Sequence, residues 1–325
     1  MGCYGDRMIG PALNESTSLP TCGRLREALV AGEERLASAV PVLRHLLRPM
    51  DPAMFCDAAL AQVRGMLGDL ARQLLSARAE ASGIRDSAQF VEQGEEALAH
   101  LLSADDALLS YVHALTLEAV LAERLQTATG LDPVVSPLVQ QLITATDEAV
   151  AGLAMDLLSA QARFLQQQQR MELSPSELSD TLFLRAVLAM RAHAGAEDDD
   201  ASRAEDVLRD RRRERPGRIA LIEQLLGESE ADTESSLSVS RAGLPIFLTA
   251  LSLASGEERS QLLLAIFARD GLRPALAMRA AGLEQQQIAM QLALLGADPF
   301  VGEDLTALSP AQSAMMLSRD PSAKG

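Results

Sequence analysis

Four histidines, three cysteines and two blocks of charge are the parts of this chain whose residue types could do chemistry. His45, His100, His113 and His193 are widely spaced, and no cysteine lies near one, so none has the spacing of a metal-ligand set. Glu96 and His100 are four apart and share a helix face. A di-iron bundle, however, needs Glu-x-x-His twice, and that spacing is absent. Asp198, Asp199 and Asp200 match a cation loop by charge alone, because the alternating ligands and turn glycine of an EF-hand are missing. Cys3, Cys22 and Cys56 are odd in number and form no C-x-x-C, which fits a reducing compartment rather than a disulfide framework.

Nucleophilic and phosphate chemistry find no better footing. Lys324 is the single lysine, so Walker-type phosphate binding, Schiff-base chemistry and kinase-type catalysis have no positioned ammonium. The chain holds no G-x-S-x-G, no strand-borne G-x-G-x-x-G and no H-E-x-x-H. The segment 44–49, RHLLRP, has the outline of a phosphoacceptor histidine. Leu46 stands where an acid is needed, Pro49 comes one residue early, and no ATP-binding segment follows. Catalytic, cofactor-binding and metal residues are therefore all assigned as none, and no binding residue is singled out. Six arginines between Arg209 and Arg218 form the one basic patch. Nucleic-acid binding would also need aromatic platforms or a wider positive face, and the acidic block at 197–206 neutralises it.

Composition sets what must position any such groups. Aromatics are 3% against 48% hydrophobic residues, so the core is built from Leu, Ala, Val and Met, a palette that favours packed helices over sheets. The formal charge of -16 repels nucleic acids and anionic membranes and suits a partner with a basic surface. No run of 18 apolar residues is present, so no membrane span is expected. The opening MGCYGDRMIG lacks the apolar core of a signal peptide, and Asp6 stands where a myristoylation pattern wants Ser or Thr. A cytoplasmic location is the expectation.

Periodicity then gives the organisation. Residues 1–20, rich in Gly and Pro, are expected to be a flexible tail. A helical bundle or HEAT-like domain is expected over 21–194, a charged linker or joining helix over 195–217, short paired helices over 218–319, and a tail over 320–325. The clearest stripe, Ile143, Val150, Leu157 and Phe164, lies in one helical segment from Pro137 to Arg170. Leu108, Val112, Leu115, Ala119 and Ala122 mark the helix before it, with Gly130, Pro133 and Pro137 between the two. Ser174-Pro175-Ser176-Glu177 reads as a capping box opening the next helix, in which Glu177 reaches back over the helix end. Gln166–Gln169 and Gln285–Gln287 read as polar helix faces. The fold class predicted is all-α: a helical bundle or HEAT-like solenoid with a second region of short paired helices.

Two stretches carry a resemblance. SPLVQQLITATDEAVAGLAMDLLSAQARF (136–164) resembles a HEAT-type unit with its turn at Asp147-Glu148. FARDGLRPALAMRAAGLEQQQIAMQLALLGADP (267–299) resembles the C-terminal part of an uncharacterised alphaproteobacterial all-helical family, the domain of unknown function two-three-three-six. The resemblance spans most of 40–310 and implies a HEAT-like fold. It brings no catalytic residue.

The function expected is a non-catalytic helical scaffold for protein–protein interaction or regulation, meeting a basic partner in an acidic, Leu-lined groove. The alternative is an enzyme or small-ligand-binding bundle with a pocket between helices. A cluster of buried ionisable residues at one cleft would favour that alternative.

Overall fold

The computed structural model describes residues 18–37, 57–195, 199–228, 233–267, 271–297, 305 and 307–318. His45, the RHLLRP segment, Cys3, Cys56, Asp198 and Lys324 lie outside the described residues, as do 1–17 of the expected N-terminal tail and the whole of 320–325. Among the described residues fifteen α-helices and no strand make up the fold, so the all-α expectation holds. Among the described residues no single helix is long and apolar enough to cross a membrane.

The first half of the chain supplies α1 (Ser18–Ala37), α2 (Asp57–Ala81), α3 (Ser87–Ser103), α4 (Asp106–Thr129), α5 (Pro137–Ile143), α6 (Glu148–Gln169) and α7 (Asp180–Ala194). Asp86, Asp105, Ser136, Asp147 and Ser179 each accept a hydrogen bond from a free N–H in the first turn that follows. Gly130 closes α4 in the left-handed region. The segment 137–170 is not one helix. Thr144 ends α5 and Asp147 caps α6, so Ile143 and Val150 belong to different helices. Val150, Leu157 and Phe164 are buried along α6 as their spacing requires.

The charged segment takes the second of the two forms expected for it, a helix rather than a linker. Residues Asp199–Glu214 form α8, which packs along α2. Ala201, Ala204 and Leu208 are buried, while the charges pair among themselves or with neighbours: Arg209 with Glu205, Arg213 with Asp210, and Arg211 with Glu80 of α2. Three small apolar residues at helical spacing are enough to seat a helix whose other faces are charged. A reading by mean polarity alone makes it a linker.

The second half supplies α9 (Arg218–Glu228), α10 (Thr233–Ser236), α11 (Val239–Ser255), α12 (Arg259–Phe267), α13 (Leu272–Ala280), α14 (Gln285–Leu295) and α15 (Pro310–Ser318). Within α11, Gly243 takes φ 76°, ψ 161° and Pro245 follows two residues later, so the helix is broken there.

The cores do not divide at the expected boundary. One gathers α2, α3, α7, α8, the N-terminal half of α4 and Phe164 of α6. The other gathers α1, α5, α9, α11 to α14 and the remaining parts of α4 and α6. The helices α4 and α6 therefore run through both cores as shared struts, and 21–194 is not closed on itself.

Candidate functional site

The middle of α4 explains where the two cores meet. Between Ala107 and Ala122 the sequence is apolar or neutral except for His113 and Glu118. Leu108 to Leu115 feed one core and Leu121 and Leu125 the other, so Glu118 falls at the seam, only 2% exposed. A carboxylate there requires a partner, because an unpaired buried charge is costly.

That partner is Arg218, the first residue of α9 and fully buried. Its two terminal nitrogens donate to the two carboxylate oxygens of Glu118, both at 2.6 Å. Its Nε and its backbone N–H donate to Glu177 at 3.2 and 3.1 Å. Arg259, opening α12, donates a further bond to Glu118 Oε1 at 2.7 Å. Tyr111 of α4 donates its hydroxyl to the Glu177 carbonyl. Two arginines and two carboxylates from four parts of the chain thus form a charge-balanced cluster.

The protonation states follow. Burial pushes the Glu118 carboxyl up, but Arg218 and Arg259 together outweigh it and hold it at about 2. Glu177 has Arg218 alone, so burial prevails and raises it above the usual carboxylate range. Burial also raises Tyr111, which keeps its hydroxyl a donor.

The capping box at 174–177 plays a different part from the one expected. Ser174 does accept from the Ser176 N–H, at 3.2 Å, but Pro175–Glu177 is a single 3-10 turn and α7 begins later, after Ser179. Glu177 turns inward and accepts from the first N–H of α9 instead. Pro216 and Gly217 bring that helix close, and a Cβ on Gly217 would sit 2.1 Å from the Ser176 carbonyl oxygen.

This cluster borders a cleft of about 750 Å³, with Glu177 and Arg259 in its wall. The first turns of α4, α7, α9 and α12 all open onto it. Arg212 lies 4.3 Å over the Phe183 ring and donates to the Leu178 carbonyl and Asp180 at 2.8 and 3.1 Å; Arg185 reaches Asp105 at 2.8 Å. Ser110 Oγ and Arg259 Nε are buried and have no hydrogen-bond partner among the described residues.

A second hollow of about 510 Å³ lies between α2, α4 and α6, lined by Ala59, Ala119, Val120, Leu165 and Gln168, with Glu123 as its one carboxylate. It is an Ala- and Gln-lined groove, unlike the acidic, Leu-lined groove expected. Gln168, expected on a polar face, is buried and takes a bond from Gln62 Nε2 at 3.2 Å.

The histidines stay apart. His113 is buried with Nδ1 unpartnered, His193 is half-buried against Gly94, and His100 is exposed on α3. Among the described residues no group of His, Cys, Asp or Glu has a metal-holding arrangement. The Arg209–Arg218 patch does not present one basic face: four of its six arginines pair with carboxylates on the surface or at its edge, and Arg218 is buried. The sequence reading missed Glu118, Glu177, Arg218 and Arg259. The available signal was the single carboxylate in an otherwise apolar stretch of α4.

Comparison with protein-family models, with curated proteins and with solved structures returned no match.

Proposed function

We propose that this protein is a helical regulatory module that binds a small polar ligand in the cleft between its two cores. The supporting observation is that the buried cluster of Glu118, Glu177, Arg218 and Arg259 places two of its members, Glu177 and Arg259, in the wall of a cleft of about 750 Å³. That volume is in the range of small-molecule sites, and convergent polar groups on a rigid frame are what orientation of a ligand requires. Because α4 and α7 from one core and α9 and α12 from the other line it, a ligand there contacts elements from each, which suits regulation. No nucleophile–base pair is assigned, so the role is binding rather than turnover.

Thermal-shift measurement on the purified full chain against a panel of small polar metabolites tests this reading. At least one class should raise Tm in a saturable way, and Ala220→Trp, which fills the cleft from an exposed position, should abolish that shift. A shift unchanged in Ala220→Trp would place binding elsewhere and end the proposal.

A second reading keeps the expected scaffold for a basic protein partner. It is favoured by Leu101 on α3 and by Leu184 and Leu188 on α7, exposed at 37%, 46% and 55%. These helices run antiparallel, since Gly94 meets His193 and Asp105 meets Arg185. Glu92 and Glu96 on the outer face of α3 supply the negative charge a basic partner would meet. If this is the working surface, Leu184→Ser with Leu188→Ser should weaken capture of the partner and leave any ligand-induced Tm shift intact.

A further inference from the structure

We infer that the cleft takes a ligand carrying an oxyanion, a phosphate or a carboxylate, seated at Arg259 and Ser110, with a hydroxylated or amine-bearing body extending toward Glu223. This rests on the cleft being a ligand site.

Three observations agree on the charge of the group bound. The first is direction. α4, α7, α9 and α12, of 24, 15, 11 and 9 residues, all present their N-terminal turns to the same space. Each carries the positive end of its dipole there, roughly half an elementary charge, against one C-terminal turn, that of α11; Asp105, Ser179 and Glu177 answer one first-turn N–H each in α4, α7 and α9, and the N–H groups left over favour anions. The second is the unmet demand. The Arg259 side chain is 10% exposed and spends one terminal nitrogen on Glu118, yet its Nε–H has no acceptor. Ser110, 9% exposed, has no partner for its hydroxyl. Both line the cleft. Two buried donors without acceptors ask for an acceptor, which an oxyanion in the cleft would supply.

The third concerns the carboxylates, which would otherwise argue for a cation. Asp106, Asp180, Glu223 and Glu258 also line the cleft, but all four are exposed and hydrated. Asp180 already pairs with Arg212, and Glu258 accepts from the Ser260 hydroxyl at 3.5 Å. The buried, unanswered groups are donors, and the acids are at the rim. Glu223 is the rim acid whose carboxylate has no side-chain partner of any kind among the described residues, which is why the ligand should carry hydroxyls or an amine beyond its anionic end. A bare inorganic anion would leave it unused.

Calorimetric titration of the full chain at 0.15 M salt with glycerol 3-phosphate, glycerate, orthophosphate and spermidine separates the possibilities. Expected is one-to-one binding of glycerol 3-phosphate or glycerate, whichever oxyanion the site prefers, tighter than orthophosphate. Ser110→Ala should weaken it about tenfold, the cost of one hydrogen bond to a charged group, and Arg259→Lys by more, because a lysine cannot present the Nε–H. Ser110→Ala removes only a hydroxyl, so it keeps the test decisive even if the arginine variant fails to fold. Binding of spermidine but of neither organic oxyanion would overturn the oxyanion inference and leave the cleft proposal standing. Binding of an oxyanion unchanged by Ser110→Ala would overturn the placement. Binding of none of the four, with no metabolite shifting Tm, would remove both.

Discussion

The guanidinium carbon of Arg218 lies 3.5 Å from the centroid of the Phe164 ring, with Glu118 bidentate on its far nitrogens. Stacking and ion pairing act on the same group from different helices. Phe164 belongs to α6 and Glu118 to α4, the two struts shared by both cores, so Arg218 fixes the start of α9 against both.

Arg218→Ala should therefore cost on the order of 3–5 kcal/mol, since it leaves Glu118 with only Arg259 as a counter-charge. Arg218→Met combined with Glu118→Gln should cost less than the sum of the single changes. Urea denaturation of the four proteins measures this. Additive costs would show that the two side chains are not coupled.

Leu208 distinguishes a packed α8 from a solvated linker. It is 2% exposed against the first core. Leu208→Ala should cost about 2–4 kcal/mol, as for other core leucines. A linker residue would stay within about 0.5 kcal/mol. A small change in the urea midpoint would restore the linker assignment for 195–217.

Gly217→Ala should destabilise strongly, because the added Cβ would meet backbone atoms of Ser176 and Glu177, which cannot rotate away. The expected readout is a lower Tm together with weaker ligand retention, since the same turn carries Glu177. A Tm unchanged from the parent would mean that the turn yields freely.

What was legible in the sequence follows from which interactions are local. The helical class and the buried positions Val150, Leu157 and Phe164 of α6 depend on spacing of a few residues, and they are where the sequence puts them, whereas the cap at Asp147 that splits 137–170 into two helices went unread. Arg218 and Glu118 are 100 residues apart, and Glu177 is 41 from Arg218. No periodicity links such positions, so an arginine that holds the seam reads as one more charge in a basic run. Glu177 shows the same limit. Its spacing from Ser174 fits a local cap, and a distant backbone N–H takes it instead. Within 195–217 the charge left linker and helix both open, and the buried Ala201, Ala204 and Leu208 decide for the helix.

His113 carries a pH dependence of its own. It sits 7% exposed on α4 with Nδ1 unpartnered, and burial lowers its pKa from the usual 6.5 to about 4. The imidazole is neutral in the fold, whereas in the unfolded chain it takes up a proton below 6.5. The unfolded state therefore binds more protons between pH 6.5 and 4, and stability falls as pH falls through that window, by on the order of 3 kcal/mol. Glu118 continues the loss lower down: its folded value of about 2 lies below the ordinary 4.5, so the stability it contributes disappears between those values. Glu177, raised by burial, has the opposite sign: its contribution grows as pH falls toward 4.5, so it offsets part of the His113 loss rather than that of Glu118. His113→Leu replaces an unpartnered polar group in an apolar setting, so it should be neutral or stabilising at pH 7. It should also flatten the urea midpoint between pH 6.5 and 4.5 while leaving the steeper loss below pH 4.5. A leucine variant with the same slope as the parent between pH 6.5 and 4.5 would show that His113 takes up its proton inside the fold.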